Sequence, residues 1–265
     1  MLHLERRPIR LAGWAFRLPS LPARVRSAGV GLIALLAVLL SAPLPAQPPT
    51  GAGEAAHHPT ASGHDHAGTL GRVWEGSPEG KAYSEFNHHM AGVFVLLIGL
   101  SELRYALALT TMAWTRLLLP TAMLGAGAFL LIWSDHEAWP IGSLGFVQTF
   151  FGPDWEIIQH KLYAILLLAV GSIELLRRTG RLAPAWWKMP LPALAIIGGL
   201  VLFLHSHGAH PAAHKIAIHH TIMGTMAIAA GSSKLVSEAP DRSRWGLAWA
   251  CLILLIGVQL LLYSE

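Results

Sequence analysis

Six apolar segments separated by short polar loops fill the chain from residue 86 onward. Each is close to the ~20 residues with which an α-helix crosses a bilayer core. Only helices and closed barrels satisfy their backbone hydrogen bonds in lipid, and the segments lack the two-residue alternation of barrel strands. The pattern predicts an all-α, polytopic integral membrane protein with six transmembrane helices. The predicted segments are residues 86–107, 114–133, 155–176, 190–205, 215–236 and 245–263.

Composition agrees with this class. Hydrophobic residues make up 53% of the chain and charged residues only 13%, well below the charge of an ordinary soluble domain. The formal net charge of +4 arises from an arginine-rich stretch before residue 47, so nucleic acid is not expected as a partner. Cys251 is the single cysteine, which excludes an intramolecular disulfide or a thiolate cluster.

The beginning of the chain has the pattern of a secretory signal. Six arginines precede an apolar run at residues 29–40, and small residues and prolines follow through Ala46. A positive region, a short apolar core and a small-residue exit are typical of a signal peptide; an uncleaved anchor is the alternative. We therefore expect a signal at 1–46, a histidine-containing and disordered periplasmic tail at 47–85, and the membrane domain at 86–265.

Basic residues predict the orientation of the helices. With the tail outside, nine lysines and arginines fall on the cytoplasmic side and four on the external side after residue 46. This asymmetry follows the positive-inside rule. The predicted location is the bacterial inner membrane, with the lipid bilayer around the helices and the histidine-rich face in the periplasm.

The odd-numbered segments repeat one another. A histidine is followed by glycine after eleven residues and by a charged residue after fourteen. The even segments also correspond, because residues 131–140 align without gaps with residues 202–211. The predicted unit is a helical hairpin used three times, and repeats of this kind frame sites at their interface. The three repeated sets are His88, Gly99 and Glu102; His160, Gly171 and Glu174; and His220, Gly231 and Lys234.

Histidines lie at the predicted external ends of five helices. Imidazole is costly in hydrocarbon, so a histidine there usually has a partner or a ligand. Neutral imidazole is also the commonest metal ligand in proteins. Because these residues share one predicted depth, we expect some of them to meet and bind a metal ion. The candidates are His88, His89, His136, His160, His205, His207, His219 and His220.

Copper is the favoured metal, with zinc and haem b as alternatives. Met223 follows His220 by three residues on the same helix face. A thioether together with imidazole suits Cu(I), although methionine is also ordinary packing material. The tail adds a second histidine tract, typical either of weak metal capture or of an incidental flexible segment. These tail residues are His57, His58, His64 and His66.

Charged residues mark the opposite, predicted cytoplasmic end. Glu102, Glu174 and Lys234 hold the same position in the repeat, roughly 21 Å along the helix from the histidines at the usual rise per residue. Two acids and one base at one depth predict a buried ion-pair cluster. A cytoplasmic exit for cations or protons is the functional alternative.

One part of the chain resembles a known family. Ser134-Asp135, the run at 137–140 and Gln159-His160-Lys161 look like the membrane region of copper resistance D proteins. The resemblance implies an inner-membrane protein linked to periplasmic copper supply or tolerance, with a periplasmic copper carrier as a partner. It carries the family's metal-contacting role to a set of histidines. These are His160 and, less specifically, His88, His205, His207 and His220.

Two other classes of function remain open at this point. Paired histidines on facing helices could hold one haem b on the external side, as in a membrane cytochrome. The histidines could instead serve packing in a structural or assembly subunit. An enzyme is not expected, because phosphate-loop, zinc-protease and nucleophile-elbow motifs are missing from the sequence.

Overall fold

The computed structural model describes residues 77–109, 113–204, 213–239 and 244–265. All regular structure in these residues is helical. Two 3₁₀-helices, Ala113–Leu117 and Ala185–Lys188, lead directly into longer helices. The α-helices are α1 (Pro78–Ala106), α2 (Leu118–Trp133), α3 (Phe146–Phe151), α4 (Trp155–Arg178), α5 (Pro190–Leu204), α6 (Ala213–Ser237) and α7 (Arg244–Leu261).

Five helical stretches in the described part of the chain are long and apolar enough to cross a membrane. They correspond to α1, α2 with its 3₁₀ lead, α4, α5 with its 3₁₀ lead, and α7. The prediction of an all-helical protein with several helices of membrane-spanning length is therefore confirmed for these residues. The sixth predicted segment forms α6, which has 25 residues, but histidines, threonines and serines lower its mean hydropathy. The count from hydropathy is thus five.

Helix α1 begins earlier than the apolar pattern indicates. The Ser77 side chain accepts a hydrogen bond from the Gly80 backbone N–H at 3.0 Å, and Pro78 occupies the first turn. Both are favourable features of a helix N-terminus. Residues 78–85, predicted as part of the disordered tail, therefore belong to α1. Hydropathy missed them because this first part of the helix is polar.

The long helices pack in chain order and close on themselves. Helix α1 packs on α2, α2 on α4, α4 on α5, α5 on α6 and α6 on α7, and α7 returns to α1. The short α3 lies against α4. Every second helix therefore runs in the same direction, and α1, α4 and α6 begin at the same end of the bundle.

Glycines allow the closest helix contacts. A Cβ added to Gly199 on α5 would lie 2.6 Å from the carbonyl oxygen of Gly224 on α6. A Cβ on Gly92 of α1 would lie 3.0 Å from the carbonyl oxygen of Gly257 on α7. Small residues at such crossings let backbones approach in membrane helices. Both pairs of helices are held at a separation that a larger side chain would disturb.

Candidate functional site

The predicted site residues in the described part of the chain gather at two opposite ends of the bundle. The histidine end contains the N-terminal parts of α1, α4 and α6 and the C-terminal ends of α2 and α7. The ion-pair end contains Glu102, Glu174 and Lys234. The remaining candidates, His205, His207 and the four tail histidines, lie outside the described residues.

His88 on α1 and His220 on α6 face each other at the histidine end. Their ring centres are 6.2 Å apart, with 30° between the ring planes, and His220 is buried. His88 Nδ1 lies 2.8 Å from the backbone carbonyl oxygen of Ser84. A carbonyl oxygen only accepts hydrogen bonds, so the proton of neutral His88 is on Nδ1 and its lone pair is on Nε2.

Tyr263, just after α7, contacts three of the histidines. Its ring stacks on His88 with centres 3.8 Å apart, and it meets the ring of His219 edge-on at 5.3 Å. Its backbone carbonyl accepts a hydrogen bond from His89 Nε2 at 2.9 Å. Tyr263 is only 2% exposed. Sequence reasoning missed this residue because an aromatic at the end of an apolar segment is typical of an interface anchor.

Glu265 connects Tyr263 to helix α1. Its Oε1 accepts hydrogen bonds from Ser84 Oγ at 2.5 Å and from the Tyr263 hydroxyl at 3.1 Å. Its backbone N–H donates to Glu85 Oε1 at 2.9 Å. Burial, followed by the nearby Glu265 carboxylate, raises the pKa of Tyr263. The phenol therefore stays neutral near physiological pH and acts as a donor.

A second group at this end joins α2 to α4. His160 Nδ1 lies 3.0 Å from Asp135 Oδ1. Lys161, whose side chain is fully buried, donates to the Leu131 carbonyl at 2.8 Å and lies 3.9 Å from Asp135. Burial alone would raise the pKa of Asp135, but His160, the Ser134 hydroxyl and Lys161 together lower it below its ordinary value. Asp135 is thus a carboxylate that orients the His160 ring.

The other candidates at this end lie around these two groups. His136 Nε2 is 3.7 Å from Glu137 Oε1, and its ring meets that of Tyr83 at 6.0 Å. Met223 is buried on α6, three residues after His220. His219 Nδ1 is buried without a hydrogen-bond partner among the described residues. Within residues 77–109, 113–204, 213–239 and 244–265, no group of three His, Cys, Asp or Glu side chains is arranged to hold a metal ion.

Glu102 is the centre of the network at the ion-pair end. Its carboxylate accepts hydrogen bonds from Arg178 at 2.6 Å, Lys234 at 3.1 Å and the Trp249 indole at 2.9 Å. Only 3% of Glu102 is exposed. Since these partners lie on α4, α6 and α7, one side chain of α1 contacts three other helices. Trp249 was not among the predicted residues, since tryptophan lacks a charge signal in the repeat.

Glu174 pairs within its own helix. Arg177 Nε and Nη2 donate to its two oxygens at 2.9 and 2.8 Å, and Arg178 Nε donates at 3.2 Å. Arg178 thereby bridges Glu174 and Glu102. Lys234 also lies 3.5 Å from Glu238, which pairs with Lys188 at 2.9 Å. Buried charges in this network are paired, as their desolvation requires.

No protein-family model, curated protein or solved structure matches the chain. The likeness to copper resistance D proteins accordingly stays a prediction from the sequence.

Proposed function

We propose that this protein binds copper at the histidine end of the bundle and contributes to copper homeostasis, resistance or uptake on the periplasmic side of a bacterial inner membrane. The observation that carries the proposal is the facing pair His88 and His220. The copper ion is the cargo or ligand of this pair, and His219 and Met223 are the neighbouring donors.

The spacing of the two rings suits one ion between them. A metal–imidazole bond is about 2 Å long, so two imidazoles on opposite sides of one ion have ring centres about 6 Å apart. The separation of His88 and His220 is 6.2 Å. The ring centres of His88 and His220 are therefore far enough apart to leave room for one ion between them.

Hydrogen bonds favour the metal-binding tautomer of the rings. A ligating histidine usually donates its other ring N–H to a carboxylate or a backbone carbonyl. Ser84 provides the carbonyl for His88, and Asp135 provides the carboxylate for His160. The buried Nδ1 of His219 adds a nitrogen whose burial costs free energy unless it gains a partner.

The surrounding donors favour copper among the transition metals. Thioether sulfur with imidazole suits Cu(I), whereas a site for magnesium or calcium would be built from oxygen ligands. Met223 is buried one turn beyond His220 on the same helix. Zinc and haem b are the competing ligands. Haem b is identified by its absorption spectrum, and zinc by the metal content of the purified protein.

We further propose that the membrane domain has six spanning helices. We take α6 as a sixth spanning helix, because it packs between α5 and α7 and its polar residues His220, Ser233 and Lys234 are buried in the bundle. Three hairpins then follow a signal at residues 1–46. The excess of basic residues at the ion-pair end supports a cytoplasmic location for that end.

Copper binding by the full chain in detergent tests the proposal. We expect the wild-type protein to hold Cu(I) against a chromophoric chelator, and His220→Ala to lose most of that affinity. His214→Ala is the matched control, because His214 is an exposed histidine on the same helix. Equal copper affinity in both variants would contradict the proposal. A haem absorption band in the purified protein, or tight zinc without copper, would favour the alternatives.

A further inference from the structure

The segment after α7 connects the histidines of α1 to those of α6. Tyr263 stacks on His88, accepts a hydrogen bond from His89 and meets His219 edge-on. Glu265 accepts hydrogen bonds from Tyr263 and from Ser84. The Ser84 carbonyl, in turn, holds the Nδ1 proton of His88. The contacts form one continuous chain from α7 to α1.

We propose that Tyr263 and Glu265 are positioning residues that orient His88, His89 and His219 for a metal ion, an inference that rests on the proposed function. Neither side chain is itself a ligand in this arrangement. The Tyr263 ring limits the rotation of His88, and the Tyr263 carbonyl selects the His89 tautomer that carries its proton on Nε2. The lone pair of His89 is then on Nδ1.

The segment after α7 has a distinct set of contacts. It consists of Leu262, Tyr263, Ser264 and Glu265. Tyr263 is packed against histidines of α1 and α6, the two helices that flank α7. The segment after α7 therefore supports histidines on both of the helices that flank α7.

Copper affinity of Tyr263 variants tests the positioning role. Substitution of residues that hold metal ligands in place typically changes metal affinity by about 10–100-fold, and we expect Tyr263→Leu to weaken Cu(I) binding by about that factor. Tyr263→Phe keeps the stacked ring and the backbone carbonyl, so it should restore the affinity to within about threefold of wild type. Tyr105→Leu, at a position 74% exposed, controls for the same change away from the histidines.

X-ray absorption separates positioning from general damage. If Tyr263 positions the ligands, copper bound to Tyr263→Leu should have fewer imidazole neighbours than wild type at equal helix content by circular dichroism. An unchanged imidazole count, or unchanged affinity, overturns the proposal.

Glu265→Gln provides a second variant should Tyr263→Leu fail to fold. The amide is a weaker acceptor for Ser84 and Tyr263, so we expect a loss of about threefold or more in Cu(I) affinity, smaller than for a lost ligand. Affinity equal to wild type would then refute the positioning role. Absence of copper binding by the wild-type protein is a separate result, which defeats the proposed function itself.

Discussion

Trp249 on α7 donates its indole N–H to Glu102 on α1 at 2.9 Å. Both residues are buried, and the same carboxylate also accepts from Arg178 and Lys234. A buried carboxylate with three donors on three helices is compensated only while those donors stay in place. The contact therefore ties the stability of the bundle to one side chain.

Replacing Glu102 should cost much of the stability of the bundle. We expect Glu102→Gln to lower the free energy of unfolding by about 3–5 kcal/mol, because Lys234 and Arg178 keep buried charges without their carboxylate. Unfolding of the detergent-solubilised protein by sodium dodecyl sulfate measures the change. Glu79→Gln, at an exposed position of the same helix, should stay within about 0.5 kcal/mol of wild type. Similar unfolding of both variants would show that the network is not a stability determinant.

Asp135 should matter for metal binding through His160. Asn at this position keeps the size of the side chain but removes the charge that fixes the imidazole, so we expect Asp135→Asn to lower Cu(I) affinity about 10-fold. Chelator competition on the full chain measures the effect. Glu137→Gln changes a neighbouring, half-exposed carboxylate and serves as the control. Wild-type affinity in Asp135→Asn would argue that His160 takes no part in the site.

The stability of the protein in acid should depend on the ionisation of Asp135. The pKa of Asp135 is held below its ordinary value of 3.8, so its ionised form is favoured by folding. Its stabilising contribution is present above pH 3.8 and is lost as pH falls through the lower pKa of the folded state. We expect the stability difference between wild type and Asp135→Asn to shrink as pH falls below about 4, where Asp135 becomes protonated. A difference that grows in acid would contradict this assignment.

The orientation of the bundle can be tested by labelling. In a Cys251→Ser background, Ser143→Cys should react with an impermeant thiol reagent in intact cells, because the loop between α2 and α3 is expected in the periplasm. Ala183→Cys, in the connection between α4 and α5, should react only after lysis. Both positions are exposed. The reverse pattern would place the histidine end in the cytoplasm.

The helical class and the depth of the charged residues follow from sequence patterns. The pattern of apolar segments predicted every long helix in the described part of the chain, and the repeat placed Glu102 and Lys234 at one depth, where the structure brings them within 3.1 Å. Hydropathy alone missed the polar start of α1, because capping by Ser77 acts through hydrogen bonds. The apolar pattern also predicted α6 as a spanning helix like its neighbours, although the histidines and threonines of α6 make it less apolar.

The sequence repeat could not predict how each helix is rotated about its own axis. Equal offsets predicted that His88, His160 and His220 form one site, and this stays a prediction; in the structure His88 faces His220, and His160 hydrogen-bonds to Asp135. Which histidines meet depends on helix packing angles that a linear repeat does not contain. The roles of Tyr263 and Trp249 could not be predicted for the same reason, because each contacts residues distant in sequence.

The closure of α7 on α1 has a consequence for biogenesis. Each helix from α2 to α6 meets its chain neighbour soon after synthesis, whereas the face of α1 that carries Gly92 is covered only when α7 has been made. Contacts of this sequence separation form late. We therefore expect the nascent protein to expose one face of α1 to lipid until α7 has inserted, and the histidine pair to be assembled only after that step.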